Sequence, residues 1–290
     1  MKFDGKKFAS EIEQKVIDKV RNLAEQPRVV SILVGNPSNP SGQVDPASEL
    51  YTRLKKQAAE RVGIQFEVIK LSEKLKVKSL KNKIKEIGER EEVDGVMVQL
   101  PVPGLQGPSL KEVLAGIPNE KDVDGLRYPE SKILPATVRA VLYILDEIQS
   151  SDHSSIRLRS GQGSELIWKQ RFVVVGSRGA VGKPLVRELG KQGVEVLEVE
   201  WDTPENERMQ KCKSADVLIS CVGKPGLVTG EMVKDGVIAI DVGMSKTEDG
   251  VVGDMTREVY EKASVSVEVP GGVGPVTIAS LMANVLDFLA

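Results

Sequence analysis

Apolar residues at Phe8, Ile12, Val16, Ile17, Val20 and Leu23 recur at the spacing of one helical face, which predicts an amphipathic helix over residues 7 to 24. Arg28 to Val34 follows as a continuous β-rich run, apolar on both faces, the pattern of a strand buried in a parallel sheet. The stretch from Gly35 to Gly42 is rich in Gly, Pro, Asn and Ser and predicts an irregular loop. A helix is expected from Ala47 to Arg61, ended by Gly63. A strand at Gln65 to Lys70, a helix from Val77 to Gly88 and a strand at Asp94 to Gln99 repeat the alternation, which is βαβ order. Val138 to Ile148 predicts a helix linking two halves, and Gln149 to Gly163 is a polar, Ser/Gly-rich candidate insertion. The second half reads as strands at Arg171 to Val175, Val194 to Val199, Asp216 to Val222 and Val237 to Val242, with a closing helix over Ile278 to Leu289. The expected fold is two α/β domains flanking a cleft, the second a Rossmann-type doubly wound parallel sheet.

Composition narrows the function classes. The chain has 290 residues, long enough for two cores, and its 40 basic and 42 acidic side chains leave a formal charge of −2. No clustered excess of Lys and Arg marks a nucleic-acid surface. The start, Met1 to Lys6, lacks the apolar core of a signal peptide, and no apolar run approaches membrane-spanning length, so a soluble, cytoplasmic protein is expected. Cys212 and Cys221 form neither a disulfide framework nor a zinc pattern, and Cys221 reads as a small core residue. The single histidine, His153, lies in a polar run and reads as a solvated loop residue; no metal site is expected.

Several stretches carry possible chemistry. Tyr51 and Lys55 are four apart on one helical face, placing a phenol beside an amine. A lysine becomes an acid or base useful near neutrality only where burial or neighbours lower its pKa; otherwise the pair is an exposed lysine beside a half-buried tyrosine. Gln99 ends a strand at the carboxyl edge, where open α/β sheets place ligands, and Leu100-Pro101-Val102-Pro103 stops the pairing. Lys121-Asp122-Val123-Asp124-Gly125 sets two carboxylates in a turn-prone loop, for which a solvated turn is the plain reading. Gly176-Ser177-Arg178-Gly179-Ala180-Val181-Gly182 passes from a strand into a helix with Pro184 near its first turn, a backbone suited to a pyrophosphate. Its G-x-x-G-x-x-G spacing departs from the commoner G-x-G-x-x-G. Glu200 or Asp202, roughly 20 residues on, stands where a ribose hydroxyl pair is held and a 2′-phosphate repelled. Loops at Gly223 to Gly226 and at Gly243-Met244 open on the same edge. The run Val269 to Thr277 is either a linker or a rigid backbone surface against a ligand, with Thr277 near a helix start.

Taken together, these motifs resemble the bifunctional methylenetetrahydrofolate dehydrogenase/methenyltetrahydrofolate cyclohydrolase family over nearly the whole chain. The resemblance rests on Asp4-Gly5-Lys6, Pro46-Ala47-Ser48 through Tyr51 and Lys55, Asp94-Gly95 through Pro103, Lys121 to Gly125, and Pro270 to Thr277, in the family's order. It implies a folate-binding catalytic domain over residues 1–137, completed by the C-terminal helix 277–290, and a Rossmann NAD(P)-binding domain over 138–276. Lys55 is then the proton-transfer residue, Tyr51 stacks on the folate, Gln99 holds Lys55, and Asp124 binds the pterin. Ser48, Leu100, Pro101, Pro270, Gly271, Gly272 and Thr277 complete the substrate site. Gly176, Ser177, Arg178, Val181, Gly182, Glu200, Gly223, Gly243, Met244 and Gly274 face the dinucleotide. The implied function is oxidation of 5,10-methylene-tetrahydrofolate with NAD(P)+ and hydrolysis of the methenyl product to 10-formyl-tetrahydrofolate, in one-carbon metabolism and purine biosynthesis. A cytoplasmic homodimer is implied as well.

The departures bear on the cofactor. Members using the phosphorylated dinucleotide resemble a Gly-Arg-Ser turn followed, after the next strand, by His-Arg; here stand Gly176-Ser177-Arg178 and Glu200-Trp201, which leans toward NAD over NADP. The alternatives are a dehydrogenase without cyclohydrolase activity, a shikimate-type dehydrogenase, and a dinucleotide-binding regulator without turnover.

Overall fold

Helices and strands alternate along the chain as α1 Gly5–Val20, β1 Arg28–Val34, α2 Pro46–Val62, β2 Gln65–Leu71, α3 Val77–Gly88, β3 Gly95–Val98, α4 Gly107–Leu114 and α5 Ala136–Ser150. They continue as β4 Phe172–Val175, α6 Gly182–Lys191, β5 Val196–Val199, α7 Glu205–Ser214, β6 Val217–Ser220, β7 Ile238–Asp241, β8 Ser245–Thr247, β9 Gly250–Val252, α8 Arg257–Lys262, β10 Val265–Val267 and α9 Val273–Asp287. The structure is a computed structural model that describes residues 1–35, 46–72, 74–150, 167–200, 202–248 and 250–289. Most of the loop expected at Gly35 to Gly42, the polar segment after Ser150 with His153, and Trp201 lie outside the described residues. Backbone contacts divide the chain into two units, Ala9–Ala136 with Ile278–Ala290, and Met1–Phe8 with Thr137–Thr277. The first eight residues, counted with the first half on sequence grounds, thus belong by contact with the second.

In the unit of residues 9–136 and 278–290, β2, β1 and β3 form a parallel sheet in the order β2-β1-β3. Alternation along β1 and β3 supplies both faces. Val29 and Met97 pack with Ala58, Ala59 and Val62 of α2 and with Leu281, Met282 and Val285 of α9. Val30, Ile32, Val96 and Val98 point the other way, onto Leu80, Ile84 and Ile87 of α3 and Val113 of α4. Each such side chain contributes roughly 1.5–3 kcal/mol when fully buried, which is why the sheet needs a helical layer on each side.

In the unit of residues 1–8 and 137–277, five parallel strands run in the order β10-β7-β6-β4-β5. The chain starts at β4, turns one way to β5 and then back past β4 to β6. The switch point therefore lies between the carboxyl ends of β4 and β6, where ligands of doubly wound sheets bind. An antiparallel hairpin, β8 with β9, follows β7.

Three helices were not expected from the sequence. Gly107-Pro108 occupies the start of α4, where a missing N–H costs no intrahelical bond. α7 (ENERMQKCKS) offers too few apolar positions for a periodic signal, and α8 is only six residues long. The closing helix starts at Val273, not Ile278: Gly274 and Pro275, read as part of an irregular run, lie in its first turn, where proline is tolerated for the same reason. Among the described residues no helix is long and apolar enough to cross a membrane.

Candidate active site

α2 carries Ser48, Tyr51 and Lys55, and Lys55 is only 9 % exposed. Its ammonium is met by protein groups: Lys55 Nζ donates to Gln99 Oε1 at 3.2 Å and to Asp124 Oδ2 at 3.2 Å. The reading of a lysine exposed to solvent is thereby excluded. Gln99 extends β3 by one residue, its N–H bonding Ile32 O, so the carboxyl edge of the sheet aims its amide at α2. Gln99 Nε2 donates to Leu100 O at 2.8 Å, which turns the carbonyl oxygen toward the lysine. Tyr51, one turn before Lys55, is half-buried, and burial raises its phenol above the ordinary value. Ser48 is buried, Leu100 half-buried and Pro101 exposed.

The loop bearing Asp124 is not a solvated turn. Asp122 is wholly buried and accepts from the backbone N–H groups of Leu126 and Arg127 at 3.0 and 2.8 Å. Burial pushes its carboxyl up, and those hydrogen bonds pull the other way. Asn284, on α9, donates to Val123 O and Leu134 O at 2.9 and 3.0 Å, closing the loop from the other side. Sequence reasoning missed Asn284; its signal was a lone amide inside the apolar run Leu281 to Leu286.

In the other unit, Gly176 ends β4 with φ +85° and donates its N–H to Val199 O at 2.7 Å. The chain folds back so tightly that a Cβ on Gly182, at the start of α6, would sit 2.0 Å from Gly176 O. Only glycine fits there; in the first turn of α6 the Lys183 N–H is taken by Gly179 O at 3.1 Å and Pro184 carries none. Glu200, just past β5 and 8 % exposed, bends over this turn. Its Oε1 accepts from Ser177 Oγ at 2.6 Å and from Arg178 N at 2.7 Å, with Arg178 Nε at 3.5 Å. Of the two acidic candidates, Glu200 thus reaches the glycine turn, whereas Asp202 is exposed. Arg178 is exposed, Val181 half-buried, Gly223 and Met244 exposed, and Gly243 buried. Cys221 lies one residue past β6, its Sγ 3.2 Å from Val175 O, and burial pushes its thiol up to about 12, so it is an inert neighbour of the switch point.

Pro270 and Gly274 are exposed, Gly271 half-buried and Gly272 buried. Thr277 lies in the second turn of α9 and spends its hydroxyl on Val273 O at 3.1 Å. A glycine turn at the switch point with a helix N-terminus behind it fits a dinucleotide pyrophosphate, and a lysine held between an amide and a carboxylate fits proton transfer.

Residues 3–124 match the catalytic domain of tetrahydrofolate dehydrogenase/cyclohydrolase, and residues 154–290 match the NAD(P)-binding domain of the same family. Bifunctional protein FolD of Exiguobacterium sp. is 36 % identical over 98 % of this chain and 96 % of its own. That of Staphylococcus aureus is 34 % identical, over 98 % and 94 %. Among solved structures, the bifunctional enzyme FolD from Campylobacter jejuni superposes with a TM-score of 0.83 at 29 % identity, covering 99 % of this chain and 98 % of its own. The Trypanosoma brucei enzyme, complexed with NADP cofactor and inhibitor, gives 0.82 at 28 %, over 99 % and 96 %. The chain belongs to the tetrahydrofolate dehydrogenase/cyclohydrolase family.

Proposed function

We propose that this chain oxidises 5,10-methylene-tetrahydrofolate to 5,10-methenyl-tetrahydrofolate with NAD(P)+ and hydrolyses the methenyl form to 10-formyl-tetrahydrofolate, in one-carbon metabolism. The observation that carries the reading is the Lys55, Gln99 and Asp124 set, at 3.2 Å on both sides of the amine, in a chain whose other unit holds a glycine turn of dinucleotide type. The dinucleotide, when bound, supplies the hydride acceptor. In the first reaction the chain's work is positioning, because hydride transfer needs close approach and alignment rather than a strong acid. Tyr51 stacks on the folate, Asp124 binds the pterin, and Ser48, Leu100, Pro101, Pro270, Gly271, Gly272 and Thr277 line the substrate. In the second reaction water adds to the methenyl carbon, Lys55 takes the proton that water releases, and the ring nitrogen that leaves the carbon receives a proton as the C–N bond breaks. Gln99 and Asp124 hold the amine where both transfers occur.

On the dinucleotide side Gly176, Ser177, Arg178, Val181, Gly182, Glu200, Gly223, Gly243, Met244 and Gly274 form the binding surface. NAD is the preferred form, because the Glu200 carboxylate stands at the ribose position and repels a 2′-phosphate. On the sequence resemblance alone, the chain is taken to act as a homodimer in the cytoplasm. A dehydrogenase lacking the hydrolytic step is disfavoured because the proton-transfer set is intact. One assay decides: purified protein, methylene-tetrahydrofolate and each dinucleotide, followed by methenyl absorbance. The absorbance rises and then decays; a rise without enzyme-dependent decay leaves only the dehydrogenase, and no rise with either dinucleotide overturns the reading.

A further inference from the structure

Behind the loops at the carboxyl ends of β6 and β7 lies a second carboxylate network that the reaction itself does not use. Asp254, between β9 and α8, is wholly buried. Its Oδ2 accepts from Ser220 Oγ and from Val222 N, both at 2.7 Å, and its Oδ1 accepts from Lys224 N at 2.7 Å. Three donors therefore converge on one side chain, two of them backbone N–H groups that flank Gly223. Gly243, after β7, packs so closely on this carboxylate that a Cβ there would lie 2.0 Å from Asp254 Oδ1. The Asp254 N–H in turn donates to Asp241 Oδ1 at 3.0 Å, and Met255 N and Tyr260 Oη donate to Asp241 Oδ2 at 2.9 and 2.7 Å.

The position of this network in the topology gives it a consequence. The 221–226 loop follows β6 and the 176–182 turn follows β4, the two strands that flank the switch point. The loops touch there, since a Cβ on Gly176 would lie 2.9 Å from Val222 Cγ2 and 3.0 Å from Cys221 O. Within this loop only Val222 sets an apolar side chain against the core, so the path of Gly223 to Gly226 is shaped by what the backbone N–H groups bind. With the Val222 and Lys224 N–H groups turned inward to Asp254, Gly223 is left at the surface, with φ +79°.

We propose that Asp254 is a positioning residue for the dinucleotide, holding the 221–226 loop in the shape that closes the switch point beside the Gly176 turn. The inference rests on the dinucleotide reading above but concerns a residue outside the binding surface. Loss of the carboxylate frees two part-buried N–H groups to seek other partners, and the loop relaxes away from its bound shape.

The test uses the whole protein with Asp254→Asn, whose amide cannot accept at both positions. Binding of NAD+ and NADP+ is measured by calorimetry, with hydrolysis of methenyl-tetrahydrofolate, which needs no hydride acceptor, as the second readout. The expected result is dinucleotide binding weakened about tenfold or more, the loss of one to two hydrogen bonds to a charged group, with hydrolysis within about twofold of the parent. Parallel loss of both readouts marks a merely structural role and overturns the proposal, as does unchanged dinucleotide affinity. If Asp254→Asn fails to fold, Ser220→Ala decides: it removes one donor to Asp254 Oδ2 and is expected to weaken dinucleotide binding a few-fold, and unchanged affinity overturns the proposal. A parent protein that binds neither dinucleotide sinks the functional reading instead, which keeps the two failures apart.

Discussion

The side-chain oxygen of Gln99, and not its nitrogen, faces Lys55: Nε2 is engaged by Leu100 O at 2.8 Å, leaving Oε1 to accept from Lys55 Nζ at 3.2 Å. An amide oxygen can accept from an ammonium or from a neutral amine, so the contact survives loss of the lysine proton. Asp124 Oδ2, 3.2 Å from the same amine, adds an ion-pair contact. A lysine between such partners is held in one place through both halves of a proton-transfer cycle.

Lys55→Ala is therefore expected to abolish the hydrolytic step, lowering turnover of methenyl-tetrahydrofolate by at least about 10²-fold, the usual scale for a general acid–base group. Affinity for NAD+ stays as in the parent, because the dinucleotide surface belongs to the other unit. Decay of methenyl absorbance at saturating substrate measures the first quantity and calorimetry the second. Unchanged decay removes Lys55 from the mechanism.

The loop that carries Asp124 depends on Asp122. Removing that carboxylate in Asp122→Ala leaves the part-buried Leu126 and Arg127 N–H groups without their acceptor, at a cost of about 1–3 kcal/mol in all. Asp122→Asn keeps one oxygen and should lose less. Urea midpoints for the two variants are expected in the order parent, Asn, Ala. An alanine variant as stable as the parent contradicts the role.

Much of this architecture was legible in the sequence because two signals are local. β1 was readable at Arg28–Val34 because a strand buried on both faces is a continuous apolar run, and α2 because its formers end at a glycine. Tyr51 and Lys55 shared a face by arithmetic alone. What was hidden is long-range. Nothing near Asp122 in the chain separates it from Asp124, yet burial makes one structural and leaves the other beside Lys55. Asp254 has no local mark of its role, which appears only when the fold brings Ser220, Val222 and Lys224 around it. Helix α7 was missed for a different reason: its face is too polar for periodicity to report.

Cofactor choice is expected to turn on Glu200. Glu200→Gln keeps an oxygen for Ser177 Oγ and Arg178 N but removes the charge that the proposed reading sets against a 2′-phosphate. A unit charge several Å away in a partly solvated site is worth on the order of 1–2 kcal/mol, so the ratio of kcat/KM for NADP+ to that for NAD+ should rise about tenfold. Steady-state kinetics with both dinucleotides measures it. A ratio that does not move assigns discrimination elsewhere, with Arg178 the first residue to try.

The buried Asp241 gives stability a pH dependence whose sign can be worked out. Burial pushes its carboxyl from 3.8 up to about 6; hydrogen bonds from Tyr260, Met255 and Asp254 oppose that, and the charge of Asp254 adds to it. The folded chain thus holds this proton more tightly than the unfolded chain does. The stabilisation linked to it is complete below the unfolded value near 3.8, declines as pH rises through about 6, and is absent above that. The total is at most roughly 3 kcal/mol for a shift of about two units. Asp241→Asn has no such proton, so the difference in unfolding free energy between parent and variant should change between about pH 4 and pH 6.5, in the direction of a relatively weaker parent at the higher pH. Urea denaturation across that range measures the difference. A constant offset between the two proteins would show that Asp241 is ionised throughout, its three hydrogen-bond donors outweighing its burial.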